Sequence, residues 1–242
     1  MNSYNKIANN KLIGFDKVIA QCEENILFYS KHLETLRGNI GLLDEAASLI
    51  KEINQNASLK DFEEMRHFSN YNGYVTIANL DISVNLKHLI EAKTDWERIF
   101  FIKNSFLIIH ETINKLNPSN GKSIIELTIQ KKYPTLSTTL KQLFDAIDHF
   151  KLTVDYSKIE NNRHYTAGHI EKSFKKYYDT VSLLDGEEAA KFISIFIPII
   201  NMATDLTSKL VKLAYVKQSE KSEPIYAELS KLKNVFEALK CS

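Results

Sequence analysis

The stretch that most constrains this chain is Thr94 to Leu116, where TDWE is followed by apolar residues at Ile99, Ile102, Phe106, Ile109, Ile113 and Leu116. A threonine with a glutamate three residues on closes a reciprocal capping box, so the helix start is set by its own side chains. Phe100 and Leu107 widen the stripe, and a helix apolar over so much of its circumference needs neighbours on several sides. A chain that contains it must supply those neighbours, which predicts a multi-helix core. The aromatic group Trp96, Phe100 and Phe101 at its start reads as part of that core rather than as a base-stacking platform.

The rest of the sequence supplies them. Phe15, Val18, Cys22, Ile26, Tyr29, Leu33 and Leu36 recur at helical spacing until Arg37-Gly38-Asn39, which reads as a stop. Leu43, Ala46, Ile50 and Ile53 continue the period beyond it, so an antiparallel hairpin of helices is expected there, closed by the loop NQNAS. Ser58 to His67 reads as a short capped helix and NYNG, residues 70–73, as a turn. Val75, Ala78, Ile82, Leu86 and Leu89 mark the next helix. After the break at 117–121 come a short helix from Ser123 to Tyr133 and a clean period through Leu136, Leu140, Leu143, Ile147, Phe150 and Val154, with Pro134 at its start.

Phe174, Tyr177, Tyr178, Val181 and Leu184 lead to Asp185-Gly186-Glu187-Glu188, a helix start with acids where the helix dipole favours them. The helix that follows runs through Phe192, Phe196, Ile199, Ala203, Leu206, Leu210 and Leu213, with a kink expected at Ser194 to Pro198. The fold class is therefore all-α: an antiparallel multi-helix bundle with a long kinked helix in its C-terminal half. Seven glycines and four prolines in 242 residues leave too little punctuation for a fold of many short strands. One helical domain over residues 1–242 is expected, with a polar linker at 217–223 and an amphipathic helix at 224–242.

Composition narrows the function classes. A formal charge of +1 gives no global basic field, so any nucleic-acid site is a local patch. Cys22 and Cys241 lack metal or disulfide spacing. The longest apolar run, FISIFIPII, is too short to span a bilayer and the N-terminus has no signal-peptide pattern, so no membrane association and a cytoplasmic location are expected. Lys122-Ser123 after Gly121 fails as a phosphate loop because position 116 is Leu instead of the first glycine.

The candidate chemistry lies in Asp155 to Glu171, DYSKIENNRHYTAGHIE. Arg163 offers a planar fork of donors for a phosphate, and His164 and His169 can move protons near neutral pH. On an ideal helix the six-residue step from Arg163 to His169 leaves the two roughly 120° apart. Both reach one phosphate only if the helix breaks, for instance at Gly168, or if a second copy of the chain brings its own pair across a two-fold axis. The bland reading pairs Arg163 with Glu160 or Glu171, and His164 with Glu160, on a solvated surface. A metal site from Asp155, Glu160, His164 and His169 lacks the spacing that puts two histidines on one helix face. His110 and His149 read as core-edge residues. Lys172, Lys175 and Lys176 beside Tyr177 and Tyr178 form the candidate RNA-backbone patch.

Arg163 followed by a polar residue, a short spacer and His169, late in an all-helical chain, resembles the motif of the HEPN (higher eukaryotes and prokaryotes nucleotide-binding) superfamily. The resemblance runs from TDWERIFFIKNSFLIIHET to LDGEEAAKFISIF, sets an HEPN-like core at about 73–216, and looks closest to bacterial abortive-infection-type members. It implies a metal-independent RNA endoribonuclease without cofactors in stress or phage defence, acting as a homodimer and held by an antitoxin protein. His169 would then act on the ribose 2′-hydroxyl, Arg163 would stabilise the phosphoryl charge, and His164 would orient the phosphate or donate a second proton. Glu171 stands where some HEPN toxins carry a tyrosine that a partner modifies. The alternative is a non-catalytic HEPN-like helical module that binds a nucleotide, RNA or a protein.

Overall fold

The computed structural model describes residues 2–49, 55–117, 124–167 and 174–240, and every regular element among them is helical. In chain order they are α1 (Asn2–Leu49), α2 (Gln55–Glu91), α3 (Asp95–Leu116), α4 (Ile124–Lys132), α5 (Ser137–Thr153), α6 (Tyr156–Asn162), α7 (Phe174–Val181) and α8 (Gly186–Lys240). A 3₁₀ turn at Pro134–Leu136 leads into α5, and a π-helical turn at Arg163–Ala167 follows α6. The capping box of α3 forms as its sequence requires: Thr94 accepts from the Glu97 amide, and Glu97 accepts from the amide of Thr94. Asp185 caps α8, accepting from the Glu188 amide at 2.8 Å.

The core is built where α2, α3, α5 and α8 meet. Val75, Ala78, Ile82, Leu86 and Leu89 from α2, Ile102 to Leu116 at helical spacing from α3, and Phe192, Phe196, Ile199, Ala203, Leu206 and Leu210 from α8 are all buried. The full α5 stripe from Leu136 to Val154 joins them, with Phe150 packed on Phe196 and Phe106 stacked on Phe192. α2 runs antiparallel to α1, as Lys87 to Asp16 and Asn72 to Tyr29 show, and antiparallel to α3, with Tyr71 bonded at Lys115 and Phe101 stacked on His88.

Several expected breaks are absent. α1 passes Arg37-Gly38-Asn39 without interruption, because Leu36 is buried and nothing crowds or bends the chain at Gly38. The helical hairpin is consequently α1 with α2, not a pair within residues 15–53; Ile50 and Ile53 lie outside the described residues. α2 starts at Gln55, inside the expected NQNAS loop, and runs straight through NYNG. Asn72 is 1% exposed, and its carboxamide donates to the Tyr29 hydroxyl of α1 and accepts from Thr207 Oγ1 of α8 at 2.8 Å. Its backbone carbonyl also accepts from Thr76. A Cβ at Gly73 would sit 3.9 Å from Tyr29 Cβ, an ordinary contact distance, so the bonds of Asn72 and not the glycine hold α1 at this crossing. Burial thus turns a turn-like tetrapeptide into a helix crossing.

α8 is one helix through Pro198 and through the expected linker at 217–223 to Lys240. Its residues Gly186–Lys217 are long and apolar enough to cross a bilayer by length and composition, contrary to the expectation from the shorter FISIFIPII run. In the fold their apolar face is the one packed on α2, α3 and α5.

The three-helix junction predicts a specific coupling. Asn72→Ala removes one bond from each of the Tyr29 and Thr207 hydroxyls, which keep Ser208 and the Thr204 carbonyl, and should cost about 1–2 kcal/mol, against about 1 kcal/mol for Thr207→Val. Urea denaturation of the single and double variants should give a coupling of at least about 0.5 kcal/mol. Additive effects would mean that the bond seen between α2 and α8 contributes nothing.

Candidate functional site

The segment from Asp155 to Ala167 is placed by three ties to older parts of the core. Ile159 and Asn162 are the buried face of α6, and Asn162 donates from Nδ2 to the Lys103 carbonyl of α3 at 2.9 Å. Lys158 reaches the first turn of α8 and donates to both carboxylate oxygens of Glu188, at 2.9 and 2.7 Å. The chain then passes into the π turn, and its first residue, Arg163, donates from Nε to Glu111 Oε1 on α3 at 3.2 Å. π turns recur at functional sites because they re-aim side chains out of the α-helical register.

Around Arg163 a polar cluster forms that its neighbours in sequence do not announce. Glu111 Oε1 also lies 3.4 Å from His110 Nδ1, so one carboxylate oxygen faces both a guanidinium and an imidazole. His110 is 12% exposed and stacks on the Tyr156 ring, with Asn114 Nδ2 3.1 Å from its Nε2. The Tyr156 hydroxyl is buried with no partner. Burial, then the charges of Glu160 and Glu111, push this phenol up to about 12. Nearby on α2, burial also raises the phenol of Tyr74, opposed by its bond with Thr112 and reinforced by Glu111.

α7 lies against the π turn and presents a basic and aromatic surface. Phe174 and Tyr178 are exposed and contact each other, with ring centroids 6.0 Å apart. Lys175 is 84% exposed and pairs with Asp179 at 3.3 Å. Lys176 sits over the Tyr165 ring at 5.8 Å, and Lys103 of α3 donates to the Tyr177 hydroxyl at 2.9 Å. Between α6, the π turn and α7 opens a cleft of about 200 Å³, with Lys158, Asn161, Tyr165, Asp179, Leu183 and Leu184 among its lining.

Of the residues singled out from sequence, Arg163 turns to α3, His164 is exposed, and Lys175 and Lys176 lie on α7, which packs on the π turn, whereas Gly168, His169, Glu171 and Lys172 lie outside the described residues. His164 is exposed, with Tyr165 beside it. Arg163 takes Glu111 as its partner, not Glu160, because α6 turns its C-terminal end towards α3. Trp96 and Phe100 are exposed at 60% and 56%, contrary to their assignment to the core; the first turn of α3 projects beyond the packed part of the helix, and only Phe101 turns back onto His88. His110 does sit at the core edge, whereas His149 is exposed beside Thr153. Among the described residues no three His, Cys, Asp or Glu side chains converge as a metal site would require.

Sequence reasoning missed Glu111, Tyr156, Asn162, Lys103 and the cleft, and read His110 as a core-edge residue without its place beside Glu111 and Tyr156. One signal was present: HET sets two consecutive ionisable residues, His110 and Glu111, within the apolar run of α3, where the helix passes from its buried to its exposed side. No family model matches the chain, and neither a curated protein nor a solved structure matches it. The likeness to the HEPN pattern rests on the residues alone.

The orphaned phenol of Tyr156 gives a sharp test. Removing a buried hydroxyl that has no partner relieves a desolvation cost, so Tyr156→Phe should melt at or above the wild-type temperature at pH 7. The phenol is raised in the folded state, so wild-type stability does not depend on this group below its ordinary value of 10.0 and falls as pH rises from there towards about 12, where the unfolded chain ionises first. Thermal melts across that window should show a shallower alkaline loss for Tyr156→Phe than for wild type; parallel curves would mean that Tyr156 titrates as a solvated tyrosine.

Proposed function

We propose that the protein binds single-stranded RNA along the face formed by the π turn and α7 and cleaves it as a metal-independent HEPN-type endoribonuclease. The observation that carries the binding half is the surface itself: exposed Phe174 and Tyr178 flank Lys175 and Lys176 on α7, which packs on the π turn that begins at the half-exposed Arg163. Aromatic faces stack on bases of any sequence while lysines track the phosphates, which is the chemistry of single-strand binding.

The cleavage half rests on the Arg163 and His169 pattern. His169 would take the proton of a ribose 2′-hydroxyl as that oxygen attacks the adjacent phosphorus. The bond from phosphorus to the 5′-oxygen breaks, and His164 returns a proton to the leaving oxygen. The products are a 2′,3′-cyclic phosphate and a 5′-hydroxyl. Arg163 serves by donating to the phosphoryl oxygens as their charge grows. A symmetric copy of the chain would complete the site by placing its pair alongside. Stress or phage defence, with an antitoxin protein as restraint, is the setting this reading implies.

One observation favours the second reading, a non-catalytic RNA-binding module. Arg163 is already engaged by Glu111, so a phosphate must displace a carboxylate to reach it.

Incubation of purified protein with single-stranded RNA in EDTA separates the two. Cleavage leaving cyclic phosphate ends is expected, falling about 10²–10³-fold in Arg163→Ala and about 10²–10⁴-fold in His169→Ala. Salt-sensitive binding with intact RNA would leave the module, and RNA that neither binds nor breaks would sink both readings.

A further inference from the structure

The cleft between α6, the π turn and α7 is unaccounted for by the Arg163 site, and its chemistry is specific. At about 200 Å³ it is smaller than the roughly 300–1,000 Å³ of pockets that hold drug-sized ligands, so it has room for one planar ring system. Its apolar lining comes from Leu183, Leu184 and the Tyr165 ring, and its polar lining from Lys158, Asn161, Asp179 and Thr180. Leu183 is 70% exposed, an apolar side chain left at a mouth that no described element covers.

We infer that this cleft takes a single unpaired nucleobase, stacked against Tyr165 and bonded at its edge by Asn161 and Asp179. The inference rests on the RNA-binding reading above and names the position where that strand is read. Several features converge on it. The Lys176 ammonium sits over one face of Tyr165, which fixes the ring, leaves its other face for a base and sets a positive charge where the next phosphate would pass. Lys158 is anchored by Glu188, so its stem lines the wall in one place. Asn161 offers both a donor and an acceptor, and Asp179 only accepts. A carboxylate in that position favours a base carrying an exocyclic amine and leaves uracil, with carbonyls at both edges, facing like charge.

The cleft shares the π turn with Arg163. Tyr165 is two residues beyond Arg163, a step of roughly 160–200° on a helix, so its ring faces α7 while the guanidinium faces Glu111 on α3. A strand whose base is seated against Tyr165 would pass round the turn to reach Arg163.

Fluorescence anisotropy with two short oligouridines, one carrying a central adenosine and the other an abasic residue in its place, tests this. The wild-type protein should bind the adenosine probe about tenfold more tightly. Leu183→Trp fills the cleft from an exposed position without touching the core, and Tyr165→Ala removes the stacking face. Each should erase the preference while leaving affinity for the abasic probe unchanged. If both variants keep the wild-type preference while Lys175→Glu weakens both probes, the strand binds on this face and the cleft assignment is overturned. If wild type binds neither probe at low salt, the RNA-binding reading falls and the cleft assignment falls with it.

Discussion

Asn72 stands where α1, α2 and α8 cross, and the carboxamide there is spent on Tyr29 of one neighbour and Thr207 of the other. A buried amide must keep its bonds, so these contacts fix the register of all three helices more sharply than the surrounding apolar side chains can. Leucine and isoleucine faces tolerate sliding, whereas a donor and acceptor at a single position do not. α3 then packs on α2 and α8, and α6 hangs from α3 through Asn162, so the position of Arg163 descends step by step from this junction.

How much of this was legible in the sequence divides along a physical line. The capping box of α3, the stripe of α5 and the Asp185 start of α8 were readable because they are local, made by residues three or four apart. Arg37-Gly38-Asn39 and NYNG were misread because local propensity is a weak force: a glycine inside a helix costs about 1 kcal/mol, less than a helix gains from one well-buried side chain. The run at 217–223 shows the converse limit, since a polar composition describes a solvated helix and a linker equally well.

At the site, the cationic half was visible and the anionic half was not. Arg163, Lys175 and Lys176 stand out within one short segment, but Glu111 is 52 residues away and reaches Arg163 only through the packing of α6 on α3. The π turn was equally hidden, and it matters for geometry: the 120° separation of Arg163 and His169 assumes a uniform α-helix, which ends at Asn162. Trp96 and Phe100 reverse the usual inference from apolarity, because a helix can bury its middle and leave its first turn outside.

The ion pair that holds Arg163 bears on whether a phosphate can use it. Arg163 is 37% and Glu111 49% exposed, and a pair so solvated contributes only about 0–1 kcal/mol. Exchanging that carboxylate for a phosphate, which matches the guanidinium fork with two oxygens, is therefore cheap on the arginine side. The harder question is what becomes of the released carboxylate. Glu111 would not be left alone, because His110 Nδ1 already lies 3.4 Å from the same oxygen. On the proposed reading, an anion arriving at Arg163 would leave Glu111 facing His110, and the cluster would then hold the displaced carboxylate instead of obstructing the phosphate.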